Sequence, residues 1–282
     1  MSRHTLSNGQ CKRFHAEGFL RLPGFLSKAE LSPLCERLEA DPGMFCRVGA
    51  LGWIGWTEPA NDLAGCLTRF EPIVDGAESL VGEQCYHWHS KIVNKPPGGE
   101  QTLAWHQDFG SWYKDGCLRP KLVTCVIALT PAASASGCMR LLRGSHRLGR
   151  LDRLPDGIEE YSYFRLNPQR LEAILRRFPV EEMQMTPGDA FFFHANTLHS
   201  SDANTTDRPR TLLEMTYNAM SNGPVFEGQE IHAPRVLHRK SKGSLLEGDY
   251  DTVIDRTRLI DINDPADPGL QIFRRRFDPG LC

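Results

Sequence analysis

Two short stretches of the sequence contain side chains of the types that can bind metal ions. The first is WHQD at 105–108, in which His106 and Asp108 are separated by one residue. Because successive side chains of a β-strand point to opposite faces, a strand here would place both on one face. The second stretch contains His199, much later in the chain. Two histidines and one carboxylate with open positions form the facial triad of non-haem iron(II) oxygenases.

A predicted strand after the second histidine begins with an arginine, Arg210. If this strand pairs with the strand that ends at His194, the guanidinium can lie beside His199 on the inner face of a barrel. A buried cation is costly unless it meets an anion. The planar guanidinium suits bidentate binding of a carboxylate, so we expect an acidic ligand at this position.

The first forty residues predict two helices with a short extended stretch between them. The first helix ends at Gly18, a residue type favoured just beyond a helix end. Ser27 and Glu30 form the sequence signature of a capping box at the start of the second helix. We expect residues about 7–40 to form a helical support.

From about residue 85 the sequence changes to short strands punctuated by Gly, Pro, Asn and Asp. Many short strands separated by turn residues are typical of an all-β barrel or jelly roll. The predicted strands are YHWHSKIVN, TLAWHQD, KLVTCVIALT, CMRLLRG, EEMQMT, DAFFFHAN and TLLEMTYNA, and one more helix is predicted around 168–178. The expected jelly-roll core spans about 85–220 and is followed by a polar C-terminal extension over about 221–282.

Composition restricts the classes of function. The chain has 282 residues, with 33 Lys and Arg against 35 Asp and Glu, which gives a net charge of −2. This balance provides no global basic surface for nucleic acid or an anionic membrane. The 9 Cys lack CxxC spacing and are odd in number, which argues against a zinc ribbon or a disulfide framework. We therefore expect one reduced, cytoplasmic domain over 1–282, without a secretion signal or a spanning helix.

Four stretches resemble, in order and spacing, motifs of the phytanoyl-CoA dioxygenase superfamily of iron(II)- and 2-oxoglutarate-dependent oxygenases. They are FHAEGFLRLPGFLSKAEL, WHQD, SGCMRLLRGSH and PGDAFFFHANTLHSSDANTTDRPR. The resemblance covers roughly residues 11–218. It implies a mainly β fold, a double-stranded β-helix (jelly roll, cupin-like) core with flanking α-helices.

Carried over residue by residue, the resemblance assigns roles to five side chains. His106, Asp108 and His199 match the catalytic iron ligands. Arg210 matches the residue that binds the distal carboxylate of the co-substrate 2-oxoglutarate. Ser201 matches a hydroxyl that helps to hold the same carboxylate.

Within the superfamily, HQDFGSWYKDGCLRP and HSKIVNKPPGG look most like the ectoine-hydroxylase branch. This resemblance places Lys91 and Asn94 in the pocket, near the co-substrate or the substrate. It also places Trp112 at a substrate-packing position, beside Tyr113. It favours a small polar substrate, such as an amine or an amino-acid-like molecule, over a long acyl-CoA.

The implied reaction hydroxylates an aliphatic C–H while 2-oxoglutarate and O2 yield succinate and CO2. Asp108 favours hydroxylation or desaturation over halogenation, because related halogenases have a small residue in place of that carboxylate. Three alternatives stay open: an acyl-CoA hydroxylase of the same superfamily, a catalytically silent sensor of iron and 2-oxoglutarate, and a zinc-type hydrolase on the same ligands. The expected partner is a small-molecule substrate, and the expected assembly is a monomer or homodimer.

Overall fold

The structure of the chain is a computed structural model that describes residues 6–48, 51–151, 166–226, 232–241, 243, 248, 250, 252–255 and 260. The strands are β1 Phe19–Leu22, β2 Cys46–Val48, β3 Leu51–Trp56, β4 Cys85–Lys95, β5 Leu103–His106, β6 Leu122–Ala128, β7 Met139–Leu142, β8 Val180–Glu182, β9 Ala190–His194, β10 His199–Ser201 and β11 Arg210–Ala219. The helices are α1 Asn8–Glu17, α2 Lys28–Ala40, α3 Leu63–Thr68, α4 Glu71–Val81, α5 Phe109–Lys114 and α6 Pro168–Leu175.

The strands form two antiparallel sheets. The larger has seven strands in the order β1-β9-β6-β11-β4-β3-β2, and the smaller has four in the order β5-β10-β7-β8. From β4 to β11 the chain passes back and forth between the sheets, except that β7 and β8 both lie in the smaller sheet. This is the arrangement of a jelly roll, and the predicted fold class is confirmed.

The N-terminal helices begin and end where the sequence predicts. The Ser7 side chain accepts a hydrogen bond from the backbone of Gln10, and Gly18 ends α1 with φ 87°. A left-handed conformation there favours glycine, since it has no Cβ. Ser27 and Glu30 form the predicted capping box of α2.

The larger sheet extends beyond the predicted core of 85–220. It gains β1 at one edge and β2 and β3 at the other, all from the first sixty residues. Helices α3 and α4 follow β3 directly, in a part of the chain where the sequence analysis placed no element. The N-terminal region therefore supplies strands to the sheet as well as helical support.

The two faces of the larger sheet meet different partners. Along β11, Leu212 belongs to an apolar cluster between the sheets, together with Phe191 and Phe193. Leu213 and Met215 point the other way and join the cluster that includes residues of α1, α2, α3 and α4. Both faces are covered, which explains why β11 is almost continuously buried.

Described parts of the predicted polar extension return to the helices. Arg239 forms ion pairs with Asp75 and Glu78 of α4. Val253 and Ile254 are fully buried, and the carbonyl of Val253 accepts a hydrogen bond of 2.8 Å from the backbone of α3. These segments are part of the folded core, which corrects the expectation of a polar extension.

No helix in the described part of the chain has the length and apolar character needed to cross a membrane. Cys85, Cys117 and Cys125 are buried thiols. Burial, and then the charge of Asp115, raise the pKa of Cys117 to about 12. Such thiols stay protonated at neutral pH and act as small apolar side chains.

Candidate metal and co-substrate site

His106, Asp108 and His199 converge at one end of the four-stranded sheet. His106 ends β5 and lies directly opposite His199, which begins β10. The Nε2 atoms of His106 and His199 lie 3.6 Å and 3.7 Å from the same oxygen, Oδ1 of Asp108. Ligand atoms of all three residues lie within 4.8 Å of one another, close enough to share one ion. The structure therefore brings the three predicted ligands together.

Asp108 reaches this point by a route that differs from the predicted one. Strand β5 ends at His106, and Asp108 has the helical angles φ −65° and ψ −39°, immediately before α5. Between them, the Gln107 side-chain amide donates hydrogen bonds to the carbonyls of Gly149 at 2.9 Å and Asn196 at 2.7 Å. The two ligands meet because a turn follows the strand, not because they share a strand face.

Hydrogen bonds fix the tautomers of both histidines. Nδ1 of His106 lies 2.8 Å from the carbonyl oxygen of Ala104, and Nδ1 of His199 lies 3.0 Å from that of Thr197. A carbonyl oxygen can only accept, so each Nδ1 carries the proton and donates it. Each Nε2 then presents a lone pair to the shared centre, as in histidine metal ligands.

The charge of the cluster suits a divalent cation. Burial, and then the nearby His106, lower the pKa of His199 to about 4. Burial opposes ionisation of Asp108, but the two histidines hold the pKa of its carboxyl well below its usual range. At neutral pH the site therefore presents a carboxylate and a neutral imidazole of His199, the ligand types of a facial triad.

The residues expected to bind the co-substrate are Arg210, which begins β11, and Ser201, which ends β10. Arg210 is fully buried, and its Nε has no hydrogen-bond partner among the described residues. Burial lowers its pKa to about 10, so it remains a cation at neutral pH. Ser201 of β10 is also buried. A buried donor without a partner fits the predicted binding of a carboxylate.

Lys95 is a functional candidate that the sequence analysis missed. It lies opposite Arg210 in the strand register, and its Nζ donates a 2.8 Å hydrogen bond to Oγ of Ser201 and another to the carbonyl of Asp202. Burial, and then the charge of Arg210, lower the pKa of Lys95 to about 7. A second buried basic side chain therefore lies beside Arg210 and links the two sheets.

The structure places Asn94 away from this group. It lies opposite Thr211, on the helix-facing side of the sheet, and its Nδ2 donates to Oγ1 of Thr211 at 3.1 Å. Residues three apart on a strand face opposite ways, so Asn94 does not accompany Lys91 into the pocket. The alternation of side chains along a strand could have indicated Lys95 in place of Asn94, since it puts Lys91 and Lys95 on one face.

The predicted substrate residues occupy two different environments. Trp112 is buried on α5, with its ring centre 5.9 Å from that of His89. Tyr113 is 38% exposed, and the guanidinium of Arg150 lies 4.3 Å from its ring centre. Trp112 can therefore shape the interior of the site, whereas Tyr113 lies near the surface.

Curated relatives of the chain are dioxygenases and hydroxylases. The chain is 27% identical over 242 residues to an ectoine dioxygenase of Bordetella parapertussis, and the match covers 77% of each protein. It is 30% identical over 238 residues to a methylphosphonate hydroxylase of Gimesia maris, with 79% of this chain and 85% of that protein covered. The predictions of an enzyme of this class and of a likeness to ectoine hydroxylases are confirmed.

A solved structure of EctD from S. alaskensis, with 2-oxoglutarate and 5-hydroxyectoine, has the same fold. The TM-score is 0.70 at 21% identity, over 86% of this chain and 90% of that one. The sequence model of phytanoyl-CoA dioxygenase (PhyH) matches residues 14–212. This match covers more than half of the chain, and the relatives match over similar lengths. The chain therefore belongs to the phytanoyl-CoA dioxygenase family.

Proposed function

We propose that the chain is an iron(II)- and 2-oxoglutarate-dependent dioxygenase that hydroxylates an aliphatic C–H of a small polar metabolite and releases succinate and CO2. The observation that carries the proposal is the convergence of His106, Asp108 and His199 opposite a sheet that holds the buried Arg210. Membership of a dioxygenase family supports the same reaction.

The donor atoms fit the cofactors that this reaction needs. His106, Asp108 and His199 would hold the iron, and Arg210 with Ser201 would hold the distal carboxylate of 2-oxoglutarate. Bound iron, with O2 and 2-oxoglutarate, supplies the oxidising power for C–H cleavage. The carbonyls that accept from each Nδ1 keep the two imidazoles oriented.

The protein's own contribution is orientation and exclusion of water. Residues before and after the ligands are buried, including Gln107 and Ser200. Trp112 and Phe193 add buried aromatic surface beside the ligands, and the Phe193 ring centre lies 4.8 Å from that of His199. A reactive centre enclosed in this way is protected from side reactions with water.

The test measures succinate after incubation with Fe(II), ascorbate, 2-oxoglutarate, O2 and a panel of small metabolites and acyl-CoAs. We expect O2-dependent succinate release that a small polar metabolite stimulates. Asp108→Ala should abolish it, whereas the exposed control Asp207→Ala should keep it. Activity with zinc in the absence of O2 would show a hydrolase, and tight 2-oxoglutarate binding without succinate would show a sensor.

We further infer a cytoplasmic enzyme with a single catalytic domain over 1–282, acting as a monomer or homodimer. The buried thiols of Cys85, Cys117 and Cys125 support a reducing compartment. Light scattering of the full chain measures the assembly, and a stable trimer or larger particle would contradict this part of the proposal.

A further inference from the structure

The connection between β9 and β10 accepts hydrogen bonds from residues at and around the metal ligands. Strand β9 ends at His194 and β10 begins at His199, so residues 195–198 join the two sheets. Three consecutive carbonyls of this connection each accept a hydrogen bond. They are the carbonyl of Ala195 from the backbone N–H of Phe109 at 3.1 Å, that of Asn196 from the side-chain amide of Gln107 at 2.7 Å, and that of Thr197 from Nδ1 of His199 at 3.0 Å.

These three hydrogen bonds reach two of the three proposed ligands. Gln107 and Phe109 flank Asp108 in the chain, so the first two carbonyls hold the backbone on both sides of that carboxylate. The third carbonyl orients the imidazole of His199. The conformation of residues 195–197 therefore determines how these two ligands lie relative to each other.

The imidazole of His194 closes a turn within this connection. Its Nδ1 accepts a hydrogen bond of 3.0 Å from the backbone N–H of Asn196. Its own backbone carbonyl accepts one of 2.8 Å from the N–H of Thr197. A side chain that binds the backbone two residues later is the pattern of an Asx turn, which asparagine and aspartate form. His194 therefore holds the turn through its side chain and its backbone together.

The hydrogen bond from Asn196 requires a neutral imidazole with an unprotonated Nδ1. A backbone N–H can only donate, so Nδ1 must present its lone pair. Burial, and then the nearby His146, lower the pKa of His194 to about 3. The ring centres of these two histidines are 5.4 Å apart. His194 is therefore uncharged at neutral pH and keeps its acceptor.

The N–H that His194 binds lies in the interior of the protein. Asn196 is 3% exposed and Thr197 is fully buried. A buried backbone donor without an acceptor is unfavourable. A chain that lacks the His194 acceptor should therefore rearrange at this turn to satisfy the N–H, and the carbonyls that hold Asp108 and His199 would move with it.

We propose that His194 is a positioning residue for the metal site, whose Nδ1 holds residues 195–197 in the conformation that brings Asp108 and His199 together. This inference rests on the metal site of the proposed function and adds a residue that acts on the site through hydrogen bonds. His194 itself is not one of the clustered ligands, which are His106, Asp108 and His199.

Packing alone would make a different demand on this position. The ring of His194 also lies near Phe14 of α1, with ring centres 6.3 Å apart. Phenylalanine could fill the same space but offers no acceptor, whereas asparagine has an oxygen where the imidazole has Nδ1. Glutamine carries the same amide one carbon farther from the backbone. Substitution by these three residues therefore separates the acceptor from the size of the side chain.

The experiment is calorimetric titration of the full chain with Mn(II) in the absence of O2, which measures the number of sites and the Kd separately. We expect His194→Phe and His194→Gln to raise the Kd roughly 10–100-fold, as for the loss of other groups that orient ligands. His194→Asn should keep the wild-type Kd, because an Asx turn restores the acceptor. The exposed His238→Phe is the control.

Misfolding alone would lower the number of sites in a preparation and leave the Kd of the folded molecules unchanged. A wild-type Kd in folded His194→Phe or His194→Gln, or an equal loss in His194→Asn, would overturn the inference. If His194→Phe does not fold, the comparison of His194→Gln with His194→Asn decides the same question. A wild type that binds no Mn(II) would overturn the proposed metal site, and this inference with it.

A double variant tests whether His194 and Gln107 act through the same turn. The turn that His194 holds presents the carbonyl of Asn196 to Gln107. The rise in Kd for Gln107→Leu/His194→Phe should therefore be smaller than the product of the two single rises, since residues in one hydrogen-bond network are not additive. A rise equal to that product would show independent effects and contradict the proposed route.

Discussion

Arg210 and Lys95 are two buried basic side chains that lie opposite each other on neighbouring strands. The Nζ of Lys95 donates hydrogen bonds to Ser201 and to the carbonyl of Asp202. The Nε of Arg210 has no hydrogen-bond partner among the described residues. Holding such charges away from water opposes folding. The arrangement is therefore explained best by an anionic ligand that the folded protein is built to receive.

We expect Arg210→Met to weaken the binding of 2-oxoglutarate by about tenfold or more, since a charged hydrogen-bonded contact is lost. In the absence of 2-oxoglutarate, the Tm of the variant should not be lower than that of the wild type, because the substitution removes a buried charge that lacks a full set of partners. Thermal unfolding with and without 2-oxoglutarate measures both effects. An equal rise in Tm for wild type and variant would contradict the role, and the exposed Arg176→Met is the control.

The lowered pKa of Lys95, about 7, predicts a pH dependence of stability. Above that pH the folded protein has lost a proton that the unfolded lysine still holds up to about pH 10. The unfolded state then binds more protons, so the stability due to this group rises with pH.

The measurement compares the unfolding free energy of wild type and Lys95→Met between pH 7 and 9. The difference should shift in favour of wild type by up to about 1.4 kcal/mol per pH unit. The exposed Lys12→Met is the matched control. A constant difference across this range would show that Lys95 holds its proton in the folded state.

Among the elements, the turn between β5 and α5 decides whether the metal ligands converge. Gln107 anchors it with three hydrogen bonds, two donated to the carbonyls of Gly149 and Asn196 and one accepted from the backbone of Leu151 at 2.9 Å. The side chain of Gln107 is buried but lies outside the ligand set. It acts as a positioning residue for Asp108.

We expect Gln107→Leu to lower the affinity for a divalent metal by roughly 10–100-fold, the usual effect of losing a group that orients ligands. Leucine has a similar size but makes none of the three hydrogen bonds. Calorimetric titration with Mn(II) in the absence of O2 measures the affinity. The exposed Gln184→Leu is the control. Unchanged Mn(II) affinity in Gln107→Leu would show that the turn keeps its conformation without the hydrogen bonds of Gln107.

At the scale of the whole molecule, the described C-terminal segments complete the packing of the helices. The backbone N–H of Ala64 in α3 donates a hydrogen bond to the carbonyl of Val253. Arg239 forms ion pairs with Asp75 and Glu78 of α4. Helix α4 in turn packs on the sheet that carries Arg210. Segments that follow the last strand therefore support the site from behind.

Ile254→Ala should lower the unfolding free energy by about 2–5 kcal/mol, since it removes a fully buried side chain and leaves a cavity. The control is Val236→Ala, at a side chain that is 57% exposed, which should change it by less than about 0.5 kcal/mol. Urea unfolding of the full chain measures both. Equal effects would indicate that the segment is not part of the cooperative unit.

Local sequence determined the elements and most of the site chemistry. Capping residues and strand alternation act over a few neighbours, so α1, α2 and the strands from β4 onward were predictable, except β10, whose residues His199–Ser201 were expected in a loop. The motifs around His106, His199 and Arg210 identified the family, because residue type and order carry that information. The confirmed class of enzyme follows from the same motifs.

Only the tertiary structure decided which side chains meet. The pairing of Lys95 with Arg210 and of Lys91 with Glu214 depends on the register between β4 and β11, which are separated by more than a hundred residues of sequence. The turn that delivers Asp108 depends on carbonyls of Gly149 and Asn196. Such contacts arise from packing of distant segments, and no local pattern encodes the register in which they pair.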